Sequence, residues 1–118
     1  MTPDIVIAVY CLDAAAQAAR ARARKERSVA SQEFAASLVG LCAQLVSMAA
    51  AAGHSQLIDP SPDPDASMPA ALAKCARLMS DMPVPDGVKP RMWSSVMFQV
   101  QSAARESLAE PVTIGKES

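Results

Sequence analysis

The fold of this chain is decided by residues 3–53, PDIVIAVYCLDAAAQAARARARKERSVASQEFAASLVGLCAQLVSMAAAAG, which contain no proline after Pro3. Placed on a helical wheel, the apolar residues fall in one stripe about 100° wide. The stripe keeps its phase throughout, through Ile5, Val9, Leu12, Ala16, Ala19, Ala23, Ala30, Phe34, Leu38, Leu41, Leu45, Met48 and Ala52. This unbroken phase predicts one long helix or two nearly collinear helices.

Both ends of this stretch carry helix-boundary signals. Thr2 supplies a hydroxyl cap, Pro3 suits the first helical position, and Asp4 places an acid in the first turn. Gly53 is suited to end the helix. The alternative at the start is a strand over residues 5–10, which are rich in β-branched residues, but no partner strand is evident elsewhere.

A continuous helix over residues 3–53 would be about 75 Å long, because an α-helix rises about 1.5 Å per residue. The rest of the chain is too short to cover such a stripe completely. Either the helix breaks near residues 28–31, where weak helix formers gather, or a second copy covers the stripe. We predict a homodimer built on this first helix, with Leu41 and Leu45 in the interface.

Proline bounds the remaining helices, because it removes a backbone donor and clashes with a continuing helix. After the first helix, prolines mark three breaks in the sequence. The first contains Pro60, Pro62 and Pro64, the second Pro83, Pro85 and Pro90, and the third Pro111. We predict helices over residues 68–81 and 90–110, with a flexible tail over 111–118. Residues 1–118 then form a single all-α domain, in which one long or broken N-terminal helix precedes two shorter helices joined by proline-rich loops.

Both shorter helices are amphipathic and of ordinary length. The apolar face of the first contains Met68, Leu72, Cys75, Ala76 and Met79. The apolar face of the second contains Trp93, Val96, Met97, Val100, Ala104 and Leu108. Each helix is therefore expected to pack one side against the rest of the domain.

Composition narrows the class of protein. The net charge is -1, so no overall basic field draws the chain to nucleic acid or to a membrane. Three cysteines without a closely spaced pair indicate a reducing compartment. Residues 5–12 lack the basic flank of a signal peptide, and no apolar stretch approaches the ~20 residues that span a bilayer. We expect a cytoplasmic protein that does not bind membranes.

No constellation of residues indicates catalysis. His54 is the only histidine, and Ser55 and Asp59 follow it, but a triad needs side chains that converge from a rigid scaffold. At a helix C-terminus a histidine is favourably placed without any catalytic role. Zinc would require His54 and three isolated cysteines to converge from three helices, without the usual paired spacing. We predict no enzymatic activity, no metal and no cofactor.

The basic run Arg20–Arg27 is the sharpest local feature, with cations at Arg20, Arg22, Arg24, Lys25 and Arg27. Its charges surround the helix instead of forming one stripe, and no stacking aromatic residues accompany them. A solvated helix segment is the preferred interpretation. A second interpretation is that the run binds nucleic acid. A third is that the charged part of a protein interface is formed by Arg20, Arg24 and Arg27.

Methionine is enriched in the second half of the chain, where it could fill an irregular core or adapt to a partner. Trp93, the only tryptophan, could anchor an interface or serve as the single large core residue. Candidate partner-binding residues are Trp93, Met92, Met97, Leu41 and Leu45.

In its size, its alanine-rich helix over residues 3–53 and its shorter helices after proline loops, the chain resembles the small helical antiactivators of LuxR-type quorum-sensing regulators. The resemblance implies a dimeric protein that binds a regulator's ligand-binding domain and prevents the dimerisation needed for DNA binding. Alternatives are a phage- or plasmid-type inhibitor, a secretion chaperone with another protein target, or a nucleic-acid binder using the basic run.

Overall fold

The computed structural model describes residues 3–54 and 67–115, the last of these, 108–115, by their backbone alone. Across these ranges the chain forms four helices and no strand: α1 (Asp4–Glu26), α2 (Val29–Ala51), α3 (Met68–Asp81) and α4 (Pro90–Gly115). The predicted all-α class is confirmed. Residues 5–10, for which a strand was the alternative, are helical.

A sharp corner separates α1 from α2. Arg27 adopts the left-handed conformation, with φ 56° and ψ 28°, and its N–H donates to the Ala23 carbonyl. Ser28 is extended and caps α2, since its Oγ accepts a hydrogen bond from the Ser31 N–H at 3.0 Å. One left-handed residue and one cap therefore turn the chain back, and the two helices are antiparallel and packed together instead of collinear.

This corner changes how the apolar stripe is covered. The buried stripe residues of both helices belong to one hydrophobic core, with Ile5, Val9 and Leu12 from α1 and Leu38, Leu41, Leu45 and Met48 from α2. Two other residues of the stripe are less buried: Ala30 is exposed, and Phe34 is half-buried against the core. Because the chain covers its own stripe, burial of the stripe does not require a second copy, and Leu41 and Leu45 lie in the core, not in a dimer seam.

The observed helix ends agree closely with the local signals. Asp4 begins α1 with Pro3 as its cap residue, while Thr2, the expected cap, lies outside the described residues. Gly53 follows the end of α2 at a φ of 99° and donates its N–H to the Ala50 carbonyl at 3.0 Å. A left-handed glycine is the usual helix stop, as predicted here.

Both later helices start at the predicted residues, Met68 and Pro90. Ser67 caps α3 through its Oγ, which accepts from the Ala70 N–H at 3.3 Å, and α3 has the predicted bounds. Pro90 opens α4, but the helix continues past the predicted end at residue 110 to Gly115. The expected tail is thus helical over 111–115, because Pro111 removes one backbone donor without preventing the flanking hydrogen bonds.

In the packed domain, α1 contacts both α2 and α3, and α4 packs mainly on α3. The bend between α3 and α4 contacts the end of α2 at Gly87, whose φ is 86°. A Cβ atom at this position would lie 2.7 Å from the Ala51 carbonyl oxygen, so the close approach requires glycine. Among the described residues α2 packs on α1 and, less extensively, on α4, and Ala36, Val39, Ala43 and Val46 are exposed on its outer face.

Candidate functional site

The three cysteines, which are widely spaced in the sequence, lie on α1, α2 and α3; Cys75 is buried, and Cys11 and Cys42 are half-buried. Burial, with the charges of Cys11 and Cys42, raises the pKa of the Cys75 thiol to about 12. Burial also raises the pKa of the Cys42 thiol to about 11, with a smaller contribution from Asp13. These thiols are protonated at neutral pH and are poor nucleophiles. Within the described ranges, no group of three or more histidine, cysteine or acidic side chains is arranged to hold a metal ion.

Three of the candidate partner-binding residues lie in the core. Trp93 is 2% exposed, Leu41 is 2% exposed and Leu45 is fully buried. Apolar side chains at these helical positions face the neighbouring helices, so they stabilise the domain and cannot reach a partner in the folded chain. For Trp93 the structure thus shows the core role, not the anchor.

The other apolar candidates differ in exposure. Met92 is 48% exposed on α4, whereas Met97 is half-buried and packs against the core. Sequence reasoning missed Phe98, which is 63% exposed. The helical wheel could have identified it, because it places Phe98 opposite the predicted apolar face of α4. A large aromatic side chain on the polar side of a helix is a signal for an interaction surface.

Two cations accompany Phe98. Arg91 and Arg105 lie seven residues before and after it on the same side of α4, and both are exposed. We call these three residues the Phe98 ridge. An exposed aromatic side chain between two guanidinium groups combines the residue types that are enriched at protein interfaces.

A second surface lies between α1 and α2. A groove of about 300 Å³, the α1–α2 groove, is lined by Asp13, Ala16, Gln17, Arg20, Val39, Cys42, Ala43 and Val46. Val39 and Val46 are 43% and 37% exposed. The α2 side of the groove is thus apolar, and the α1 side carries the polar Asp13, Gln17 and Arg20.

The outer face of α2 is almost uncharged. Glu33 is the only acidic or basic residue between Val29 and Ala51. By length and composition α2 could cross a membrane, which corrects the expectation that no stretch approaches that length, although core helices of soluble proteins pass the same test. About a third of its most apolar stretch is buried within the domain. The exposed side of α2 combines Val39 and Val46 with the uncharged polar residues Ser37, Gln44 and Ser47.

The cations of the basic run differ in what surrounds their side chains. Arg20 lines the α1–α2 groove, whereas Arg24 and Arg27 are exposed beyond it toward the corner. Arg22 Nε forms an ion pair with Glu26 Oε2 at 3.2 Å. The five cations of the run therefore do not all lie on one face of α1, and nucleic-acid binding by the run stays an alternative.

The chain was also compared with known proteins. No protein-family model matches it, and neither a curated protein nor a solved structure does.

Proposed function

We propose that this protein is a non-enzymatic inhibitor that acts by binding another protein, and that its target is a LuxR-type transcriptional regulator. The observation that carries the binding role is the exposure of Phe98, at 63%, on the side of α4 that faces away from the core. Leaving a large aromatic side chain in water gives up free energy that an apolar pocket on a partner recovers.

The charge around Phe98 indicates the chemistry of that pocket. Arg91 and Arg105 flank the ring along α4, so a complementary surface has an apolar cavity with acidic groups on both sides. Such charges increase the association rate and orient the partner, while the aromatic anchor supplies most of the affinity.

The choice of a regulator as target is supported by the resemblance in size and helix content to the small helical antiactivators. In this proposal the bound chain covers the surface through which the regulator dimerises, and the regulator then fails to bind DNA. A phage- or plasmid-type target, or the client of a secretion chaperone, would use the same ridge with a different partner.

Titration calorimetry with the ligand-binding domains of the native host's LuxR-type regulators tests the proposal. Wild-type protein should bind one of them, and Phe98→Ala should weaken binding by about 2 kcal/mol or more, roughly 30-fold. Val29→Ala is the matched control, because Val29 is 69% exposed on a different helix. Absence of binding by the wild type would contradict the regulator target, and unchanged affinity of Phe98→Ala would contradict the ridge.

Nucleic-acid binding by the basic run predicts a different result. A mobility shift with DNA or RNA that weakens steeply with salt, and that Arg24→Glu abolishes while Phe98→Ala does not, would favour that alternative.

A further inference from the structure

We propose that the α1–α2 groove is a dimer interface that takes a second copy of this chain, packed antiparallel about a two-fold axis through the middle of the groove. This surface differs from the apolar stripe, which is buried within each chain. It is also separate from the Phe98 ridge, so the inference does not depend on the proposed target.

The groove has the internal spacing that a two-fold axis requires. Asp13 and Arg20 bound its α1 side and Val39 and Val46 bound its α2 side. Each pair is seven residues apart, which is about 10 Å along a helix. A two-fold axis through the centre of the groove therefore superposes the position of each valine on that of the other, and the position of Asp13 on that of Arg20.

The charges select this arrangement. An antiparallel second copy brings Asp13 opposite the partner's Arg20, and the partner's Asp13 opposite Arg20, so that two equivalent ion pairs form. With a two-fold axis parallel to the helices, α1 would instead lie opposite the partner's α2, and Asp13 and Arg20 would face an apolar surface without ion pairs. Within the described part of its own chain, neither Asp13 nor Arg20 has an ion-pair partner, and Asp13 Oδ2 accepts only the Gln17 amide at 2.6 Å. Self-complementarity of this kind is what an isologous interface requires.

The α2 side of the groove is shaped for close approach. Ala43, which lines the groove near the axis, is small and exposed, and the exposed Ala36 and Gly40 lie beside the groove on the same helix. No atom lies within 4 Å of the position that a Cβ atom would take at Gly40, so the space above the helix is open. Small residues bring helix axes close together, so that Val39 becomes buried against the partner's Val46 and Val46 against the partner's Val39.

Sedimentation of the full chain measures the proposed dimer directly. Wild-type protein should dimerise at micromolar concentration, and Asp13→Arg or Arg20→Asp should each weaken dimerisation at least about tenfold, because each places two pairs of like charges across the interface. The double variant, with both substitutions, should recover most of the affinity, since its charges are again complementary.

A second pair of variants separates the interface from folding. Ala43→Glu places two carboxylates beside the axis and should give a folded monomer, with an unchanged helical circular dichroism spectrum. Ala73→Glu is the control, because Ala73 is exposed on α3, away from the groove; it should remain dimeric. Phe98→Ala should also remain dimeric, which distinguishes this interface from the target-binding ridge.

Three outcomes would overturn the proposal. One is a wild-type monomer at tens of micromolar, and another is a dimer that neither Ala43→Glu nor the single charge reversals weaken. The third is a monomer that floats with phosphatidylcholine–phosphatidylglycerol vesicles and loses this behaviour in Ala43→Glu, which would assign the α2 face to a lipid surface.

Discussion

The Ser31 hydroxyl donates a hydrogen bond to the Glu26 carboxylate across the corner between α1 and α2. Ser31 is 6% exposed, and its own N–H is bound by Ser28 Oγ. The last turn of α1 and the first turn of α2 are therefore joined by side chains as well as by the backbone. This link fixes the angle at which the second helix starts, and so determines how the two halves of the apolar stripe meet.

Removing the cap should loosen this corner. Ser28→Ala takes away the acceptor for the Ser31 N–H and should lower the free energy of unfolding by about 1 kcal/mol. Urea unfolding followed by circular dichroism measures the change. Ser37→Ala, an exposed position inside α2, is the control and should have little effect. Equal stability of Ser28→Ala and the wild type would contradict the role assigned to the cap.

The corner should also respond to pH. The hydrogen bond from Ser31, with the bond and charge of Arg22, holds the pKa of the Glu26 carboxyl below its usual value. A lowered pKa contributes stability above the unfolded-state value of about 4.3, and the contribution is lost as the pH falls through the folded-state pKa. Wild type should therefore exceed Glu26→Gln in stability at pH 7, and the difference should shrink at about pH 3. A difference that stays constant between these two pH values would argue against this linkage.

Trp93 and Phe98 should behave in opposite ways although they lie on the same helix. Trp93→Ala should lower the free energy of unfolding by about 3–5 kcal/mol, because the side chain is 2% exposed in the core. Phe98→Ala should change stability by less than about 0.5 kcal/mol. Denaturant titration of both variants measures the contrast, and similar losses in the two would show that the assignment of core and surface on α4 is wrong.

Two glycine substitutions should have effects of opposite sign. Gly87→Ala should destabilise by about 1–3 kcal/mol, because φ is 86° and the new Cβ would lie 2.7 Å from the Ala51 carbonyl oxygen. Gly40→Ala should stabilise a monomer by up to about 1 kcal/mol, since Gly40 is helical with open space above it. Thermal melts at low concentration give both values, and a stable Gly87→Ala would contradict the close approach.

The cysteines should titrate slowly with a thiol reagent. Burial raises the pKa values of Cys42 and Cys75 to about 11 and about 12, so little thiolate exists at pH 8. We expect Cys75 to react with Ellman's reagent only after unfolding, and melting to be independent of reductant. Rapid reaction of all three thiols in the native protein would show that the interior is open.

Local signals determined the helices themselves. Pro90 located the start of α4, and Gly53 located the stop after α2, because caps and proline act within one turn of the backbone. The helical wheel also identified most of the buried positions, since the apolar period follows from helix geometry alone. The extension of α4 past Pro111 was missed, because proline weakens a helix without always ending it.

The path of the chain between helices was decided only by tertiary structure. The stripe has the same phase on both sides of the corner, so the wheel cannot distinguish a straight helix from a hairpin. That difference lies in the backbone angles of Arg27 and in the cap at Ser28. Once the chain turns back, Leu41 and Leu45 become core residues and the outer face of α2 becomes surface. Exposure depends on which helices pack together, and the sequence by itself determines the faces of each helix but not what covers them.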